Sequence, residues 1–250
     1  MITKLFTSAL FAGIAAGLVA VMLQFWLVTP LILEGEEYET GTKSHFAGVL
    51  MVEENEEGLL EAVSDAGSES QTEVGTEVGH DDSGESALSR HIMTFGVNLI
   101  VFTGFGLVLV AGFGFADAAG HTVNFRKGMI WGLVGFVVVQ LAPAAGLFPE
   151  LPGTPADDIV LRQYWWITAV LATCAGVTLI AFGNNPLYVL VGAVLIAVPH
   201  IIGAPHLPFY GGVAPPELSA LFVSRSLFVG MISWLSLGAV AGYFWNRQTA

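Results

Sequence analysis

Six stretches of this chain are long, apolar and almost free of charge: 5–33, 92–116, 128–148, 164–182, 187–204 and 226–245. A helix needs about 20 apolar residues to cross the hydrocarbon core of a bilayer. Within hydrocarbon every backbone N–H and C=O must be paired inside the protein, and helices do this within one segment. The pattern therefore predicts an all-α, polytopic membrane helix bundle with six spans. Composition agrees: 54% of residues are apolar and 12% charged, against about 25% charged in a soluble domain. The first stretch is overlong and is expected to tilt or protrude. A signal peptide competes for it, because Lys4 precedes small and apolar residues. Its apolar run outlasts the roughly 7 to 15 residues of a signal core, so it reads as a retained anchor.

The net charge of −13 belongs mostly to one segment. Residues 34–91 hold 16 of the 21 acids and two of the eight bases. The chain thus divides into a first transmembrane helix (1–33), an acidic extracytoplasmic loop (34–91) and a five-helix transmembrane region (92–250). Glu, Ser and Gly dominate the loop and aromatics are scarce, which predicts a largely disordered segment. Within it, 46–63 could form an amphipathic helix at the membrane surface. His80-Asp81-Asp82 could hold a metal weakly, or be ordinary solvated acidic surface. The acid excess also suits a high-salt habitat, where screening removes repulsion between carboxylates.

Six spans put both termini on one side. That side carries Lys4, Arg126, Lys127 and Arg247; the other carries Lys43, Arg90, Arg162 and Arg225. The adjacent pair in a short loop favours the first set as cytoplasmic, which places the acidic loop outside.

The first, third and fifth spans carry proline near their outer ends, at Pro30, Pro143 and Pro199. The returning spans start at Arg90, Arg162 and Arg225, with glycine 14, 14 and 13 residues later at Gly104, Gly176 and Gly238. Three parallel hairpin repeats would explain this, and matched proline breaks point to a substrate site in transporters. Prolines that mark helix ends and arginines that snorkel to the interface explain it equally. Glycine pairs at Gly13/Gly17, Gly128/Gly132 and Gly238/Gly242 suit close helix packing. The short Asn184–Pro186 turn makes spans four and five antiparallel neighbours.

Five of the six histidines fall on the outer side. The richest string runs Pro199-His200-Ile201-Ile202-Gly203-Ala204-Pro205-His206. It ends an apolar helix with two prolines, which free carbonyls, and two imidazoles. Imidazole and carboxylate together suit cobalt or nickel. Glu34, Glu37, Glu150 and Glu217 lie at the same level in other segments, so His200 with Glu34 or Glu150, and His206 nearby, are the candidate metal ligands. Alternatively His200 is an interfacial residue bonded to a loop. Arg162 or Arg225 could also claim Glu150 or Glu217 as ion pairs.

No Walker string occurs, so ATP binding in a Walker loop is not expected, and no Gly-x-Ser-x-Gly or His-Glu-x-x-His is present. No basic patch suggests nucleic acid. The lone Cys174 reads as a packed thiol. Haem ligation would need histidines paired at matching depth, and only His91 and His200 lie near span ends. The residues fit a transport subunit without resident cofactor, or a membrane assembly protein that holds a partner and binds no metal.

Several strings resemble the CbtA family of proposed cobalt transporter subunits. They are Thr29-Pro30-Leu31-Ile32-Leu33-Glu34 with Glu37-Tyr38-Glu39; Arg126-Lys127-Gly128 with Trp131-Gly132-Leu133; Leu141-Ala142-Pro143; Pro149-Glu150-Leu151-Pro152-Gly153; Arg162-Gln163 with Trp165-Trp166; and Pro199-His200 through Pro205. The resemblance covers nearly the whole chain except the acidic loop. It implies a membrane subunit of cobalt (or nickel) uptake tied to cobalamin synthesis, partnered by a small single-span protein with a histidine cluster. The matched motif residues are Glu34, Pro143, Glu150, Arg162, Trp165, His200 and Pro205. The family's loop is often rich in histidine. This one is rich in glutamate, which weighs against a metal-scavenging role for it.

Overall fold

The computed structural model describes residues 2–44, 87–209 and 211–247. All described secondary structure is helical. The chain runs through α1 (Ile2–Leu23), a π-turn (Gln24–Val28), α2 (Thr29–Glu39), α3 (Ala87–Ala118), α4 (Phe125–Phe136), a second π-turn (Val137–Leu141), α5 (Ala142–Ala144), α6 (Ile159–Phe182), α7 (Pro186–Ile202) and α8 (Pro216–Arg247). Among the described residues, five helical stretches are long and apolar enough to cross a membrane: Thr3–Glu39, His91–Ala118, Phe125–Ala144, Ile159–Phe182 and Pro216–Arg247. The fifth expected span is the shorter apolar helix α7, of 17 residues. The end of the bundle that carries both chain termini is called the terminal face here, and the opposite end the loop face.

Local chemistry sets the helix starts. The Asn124 side chain accepts the Lys127 N–H to cap α4, and Asp158 accepts the N–H groups of Val160 and Leu161 to cap α6. Asn185 caps α7 by accepting the Leu187 N–H, with Pro186 in the first turn. Side chains of this kind satisfy donors that have no helical partner. The two π-turns have a common cause. Each ends two residues before a proline, at Pro30 and at Pro143. Proline lacks an N–H and its ring presses on the carbonyl four residues back. A turn widened to five residues relieves that pressure, and it leaves Thr29 N–H on Gln24 O and Ala142 N–H on Val137 O. Pro199 sits inside α7 without a π-turn.

Helices α1, α3, α4 and α8 form the core. Helix α1 packs on α3 and α8, and α4 packs on α8. Helices α6 and α7 pack on each other, and α6 touches the core through the second π-turn and α5. This differs from three sequential hairpins. Span three takes span six as its main partner, across about 100 residues of chain. The three supposedly equivalent glycines also differ: Gly104 has open space beside it, Gly176 lies against Gly192, and Gly238 lies against Gly128. Arg225 does not begin its helix either, because α8 starts at Pro216 with Glu217 in its first turn.

The glycine pairs are where backbones meet. Gly128 and Gly132 of α4 face Gly238 and Gly242 of α8 with no room for a Cβ between them. Gly13 and Gly17 lie against Thr103 and Leu99 of α3. Without a hydrophobic drive between helices in lipid, such close packing is what holds them together. At the terminal face, Trp245 Nε1 donates to Asp117 Oδ2 at 2.7 Å, and Lys4 Nζ lies 3.8 Å from the same oxygen and 3.7 Å above the Trp245 ring. That cluster ties α1, α3 and α8 together.

Both ends of the acidic segment are helical. Helix α2 continues the first span to Glu39, and α3 begins at Ala87. The rest of the segment, 45–86, with the expected surface helix at 46–63 and His80-Asp81-Asp82, lies outside the described residues.

Candidate functional site

Of the sequence-predicted residues, Glu34, Glu150, His200 and His206 each have a partner of their own. On α2, Glu34 lies 3.6 Å and Glu37 2.6 Å from Lys43 Nζ. The hydrogen bond to Glu37 is the main reason the Lys43 ammonium is held above its ordinary pKa, with the charges of Glu37 and Glu34 adding to it. A lysine raised in this way is cationic across the physiological range, so it competes with any metal for both carboxylates.

After α5 the chain turns, and Glu150 Oε2 accepts from Arg162 Nη2 at 2.7 Å. Both side chains are about one-quarter exposed. The ion-pair alternative is therefore realised for this pair. Glu150 also lines a cavity of about 360 Å³, together with Phe148, Thr154, Pro216 and Ser219. An Arg162→Ala chain should lose about 1–3 kcal/mol, since a half-desolvated carboxylate would be left unpaired. Thermal unfolding in detergent would measure this, and Arg162→Ala with Glu150→Gln together should recover part of the loss.

Trp165 is buried and its Nε1 donates to Pro199 O at 3.1 Å. The same ring meets half-buried His200 edge-on, with centroids 5.8 Å apart. This fixes the start of α6 against the proline-bearing end of α7. His206 lies exposed on the following loop, its Nδ1 2.9 Å from Leu207 O. Pro143 and Pro199 are buried, Pro205 is half-buried and Pro30 is exposed. Among the described residues, no three His, Cys, Asp or Glu side chains gather as a metal-holding group. Glu34, Glu150 and His200 thus do not form such a group.

Arg225 is claimed differently from the sequence expectation. Its Nη1 donates to Leu27 O, within the first π-turn, at 3.1 Å. The guanidinium thereby ties α8 to the interruption of the first span.

Sequence reasoning missed a set of uncharged polar side chains in the four-helix core. Gln24, Asn98, Gln140, Ser226 and Ser233 line a cavity of about 220 Å³. Asn98 Nδ2 donates to Gln24 Oε1 at 3.1 Å and to Thr94 O at 2.8 Å. Ser233 Oγ donates to Val229 O at 2.7 Å. Gln140 Oε1 and Ser226 Oγ are buried and have no protein partner. Gln24 opens the first π-turn and Gln140 lies in the second. Gly230 makes room for the Gln140 amide, because a Cβ there would fall on its oxygen. The signal available in the sequence was one amide in each of three apolar spans and two serines in a fourth.

A family model described as probable cobalt transporter subunit (CbtA) matches residues 2–246. No curated protein matches the chain, and no solved structure does.

Proposed function

We propose a cobalt-uptake role for this chain, which belongs to the CbtA family of probable cobalt transporter subunits. The observation that carries the reading is the extent of that family match, over a helical bundle with five membrane-length helices and a sixth shorter one. In this reading the chain is the multi-pass subunit through which the cation crosses. The termini are cytoplasmic and the acidic loop faces outward, raising the local cation concentration by its field. Cobalt, or nickel in its place, would supply cobalamin synthesis. A small single-span partner with histidines would deliver it. The apolar groove of about 550 Å³ between α3, α4 and α6, lined by Phe105, Phe115, Trp131 and Phe182, offers that partner's helix a seat.

At the loop face, Glu34, Glu150, His200 and His206 meet the arriving cation one or two at a time. Pro30, Pro143, Pro199 and Pro205 set the helix ends that present them. The test is cobalt accumulation in cells lacking only this chain. Uptake should fall several-fold and return with the wild-type chain; unchanged uptake removes the transport role. Glu34→Gln combined with His200→Ala should lower restored uptake, and full restoration by that double variant would remove the loop-face stations.

A second reading is an assembly subunit that holds the partner and binds no metal. The pairing of Glu34 with Lys43 and of Glu150 with Arg162 favours it, because carboxylates so held are poorer ligands. It expects cobalt accumulation to fall only because the partner is lost from the membrane, which quantifying the partner would reveal.

A further inference from the structure

The last turn of α8 lies over the first turn of α4. Gly242 is the cause: its backbone sits against Asn124 O and the Gly128 backbone, with no room for a Cβ. That approach sets Tyr243, Asn246 and Arg247 beside Asn124, Phe125 and Arg126, and these six line a cavity of about 560 Å³ at the terminal face. The positive end of α4 and the negative end of α8 meet here and largely offset each other, so the two guanidiniums set the sign of the site. Carboxylates are scarce around them. Among the described residues Asp117 is the one acid at this face, and Trp245 and Lys4 already hold it. The other described acids stand at the loop face, on α2, between α5 and α6, or in the first turn of α8. Among the described residues no ion pair includes Arg126, Lys127 or Arg247. A chain of net charge −13 thus carries a basic pocket at one end of its bundle.

We propose that this cavity binds the phosphate of an anionic phospholipid. A guanidinium stays charged at any physiological pH and offers a planar fork that matches phosphate oxygens. Position selects the lipid as the source. Arg126 stands at the start of the Phe125–Ala144 span and Arg247 at the end of the Pro216–Arg247 span, so both guanidiniums lie at headgroup level. Phe125 and Tyr243 are exposed beside them. Amphipathic aromatic rings favour that depth, where one side meets glycerol and the other the first methylenes. Basic pockets between spanning helices suit acidic headgroups for the same reasons. A zwitterionic headgroup brings its own ammonium and fits a site of two cations less well. A soluble acidic peptide would leave both rings without an apolar neighbour. The site stands apart from the transport reading, and a lipid seated there braces α8 on α4 just beyond the glycine contact.

The test titrates the full chain in detergent micelles with phosphatidylglycerol or with phosphatidylcholine of the same acyl chains, and counts bound lipid by native mass spectrometry. Phosphatidylglycerol should bind at least ~5-fold more tightly, the scale of one basic residue acting on a net headgroup charge. Arg126→Gln and Arg247→Gln should each weaken its binding about 10-fold, the scale of one charge-assisted hydrogen bond. Arg126→Lys with Arg247→Lys keeps the charge and loses the fork, so it should bind between wild type and the double glutamine variant. Lys127→Gln is the control. It removes the same charge from the same face, but the Lys127 ammonium donates to Thr122 O at 2.7 Å and does not line the cavity, so binding should hardly change. All three positions are exposed, and size-exclusion elution should match wild type throughout. Inorganic phosphate in large excess should leave the lipid bound; displacement by it would assign the cavity to a free anion and overturn the lipid proposal. Equal binding of the two lipids, wild-type binding by the double glutamine variant, or a loss in Lys127→Gln as large as in Arg126→Gln overturns it as well.

Discussion

Replacement of Gly238 by leucine should abolish the folded bundle. A Cβ at this position would fall on Gly128 O and press on the Gly132 backbone, so neither partner can yield by a rotamer change. Overpacking a tight contact costs about 1–3 kcal/mol where side chains can move, and more where they cannot. Gly238→Ala should therefore cost about 3 kcal/mol, and Gly238→Leu should leave no monodisperse protein in detergent. Size-exclusion chromatography with thermal unfolding measures both. A leucine variant that elutes and unfolds like wild type would mean that α4 and α8 do not meet as described. Gly104→Ala is the control: nothing lies within reach of its Cβ, so it should be neutral or slightly stabilising.

The second large effect is expected at Arg225. Its guanidinium donates to Leu27 O across the join between the first and last spans. Hydrogen bonds to charged groups contribute about 1.5–3 kcal/mol. Arg225→Ala should lose that much and also the packing of the long stem. Arg225→Met, which keeps most of the stem, should lose the hydrogen-bond part alone. Arg225→Lys should recover some of it, because an ammonium can still donate to one carbonyl. Unfolding midpoints of the three variants should rank lysine above methionine above alanine. Equal midpoints for methionine and wild type would show that the contact with Leu27 carries no weight.

Length and hydropathy were enough to locate the helices, because the bilayer imposes them on each segment separately. The Glu150–Arg162 pair was also within reach, since only 12 residues separate its members. Helix partners were not. The glycine pairs at 128/132 and 238/242 each announced a close contact, yet nothing local says that they meet one another. The start of α8 was misjudged by ten residues because apolar character begins late there. Pro216 and Glu217, a proline and an acid in a first turn, were the overlooked start signal. The polar-lined cavity in the four-helix core escaped for the same reason as the partners. Gln24, Asn98, Gln140 and Ser226 are unremarkable one span at a time, and ionisable residues drew the search elsewhere. His200 was expected to share a cation with Glu34 or Glu150 because of their common level in the membrane. Common level does not fix lateral position, and Lys43, Arg162 and Trp165 each took one of them.

The partnership of α4 with α8 sets a timetable for biogenesis. A ribosome delivers α4 well before α8, with α6 and α7 inserted in between. Through that interval the glycine face of α4 lacks its α8 partner, and α1 and α3 lack the Trp245 that closes the cluster around Asp117. Of the four core helices α8 comes last in chain order, so a chain truncated before residue 216 lacks the main partner of α4.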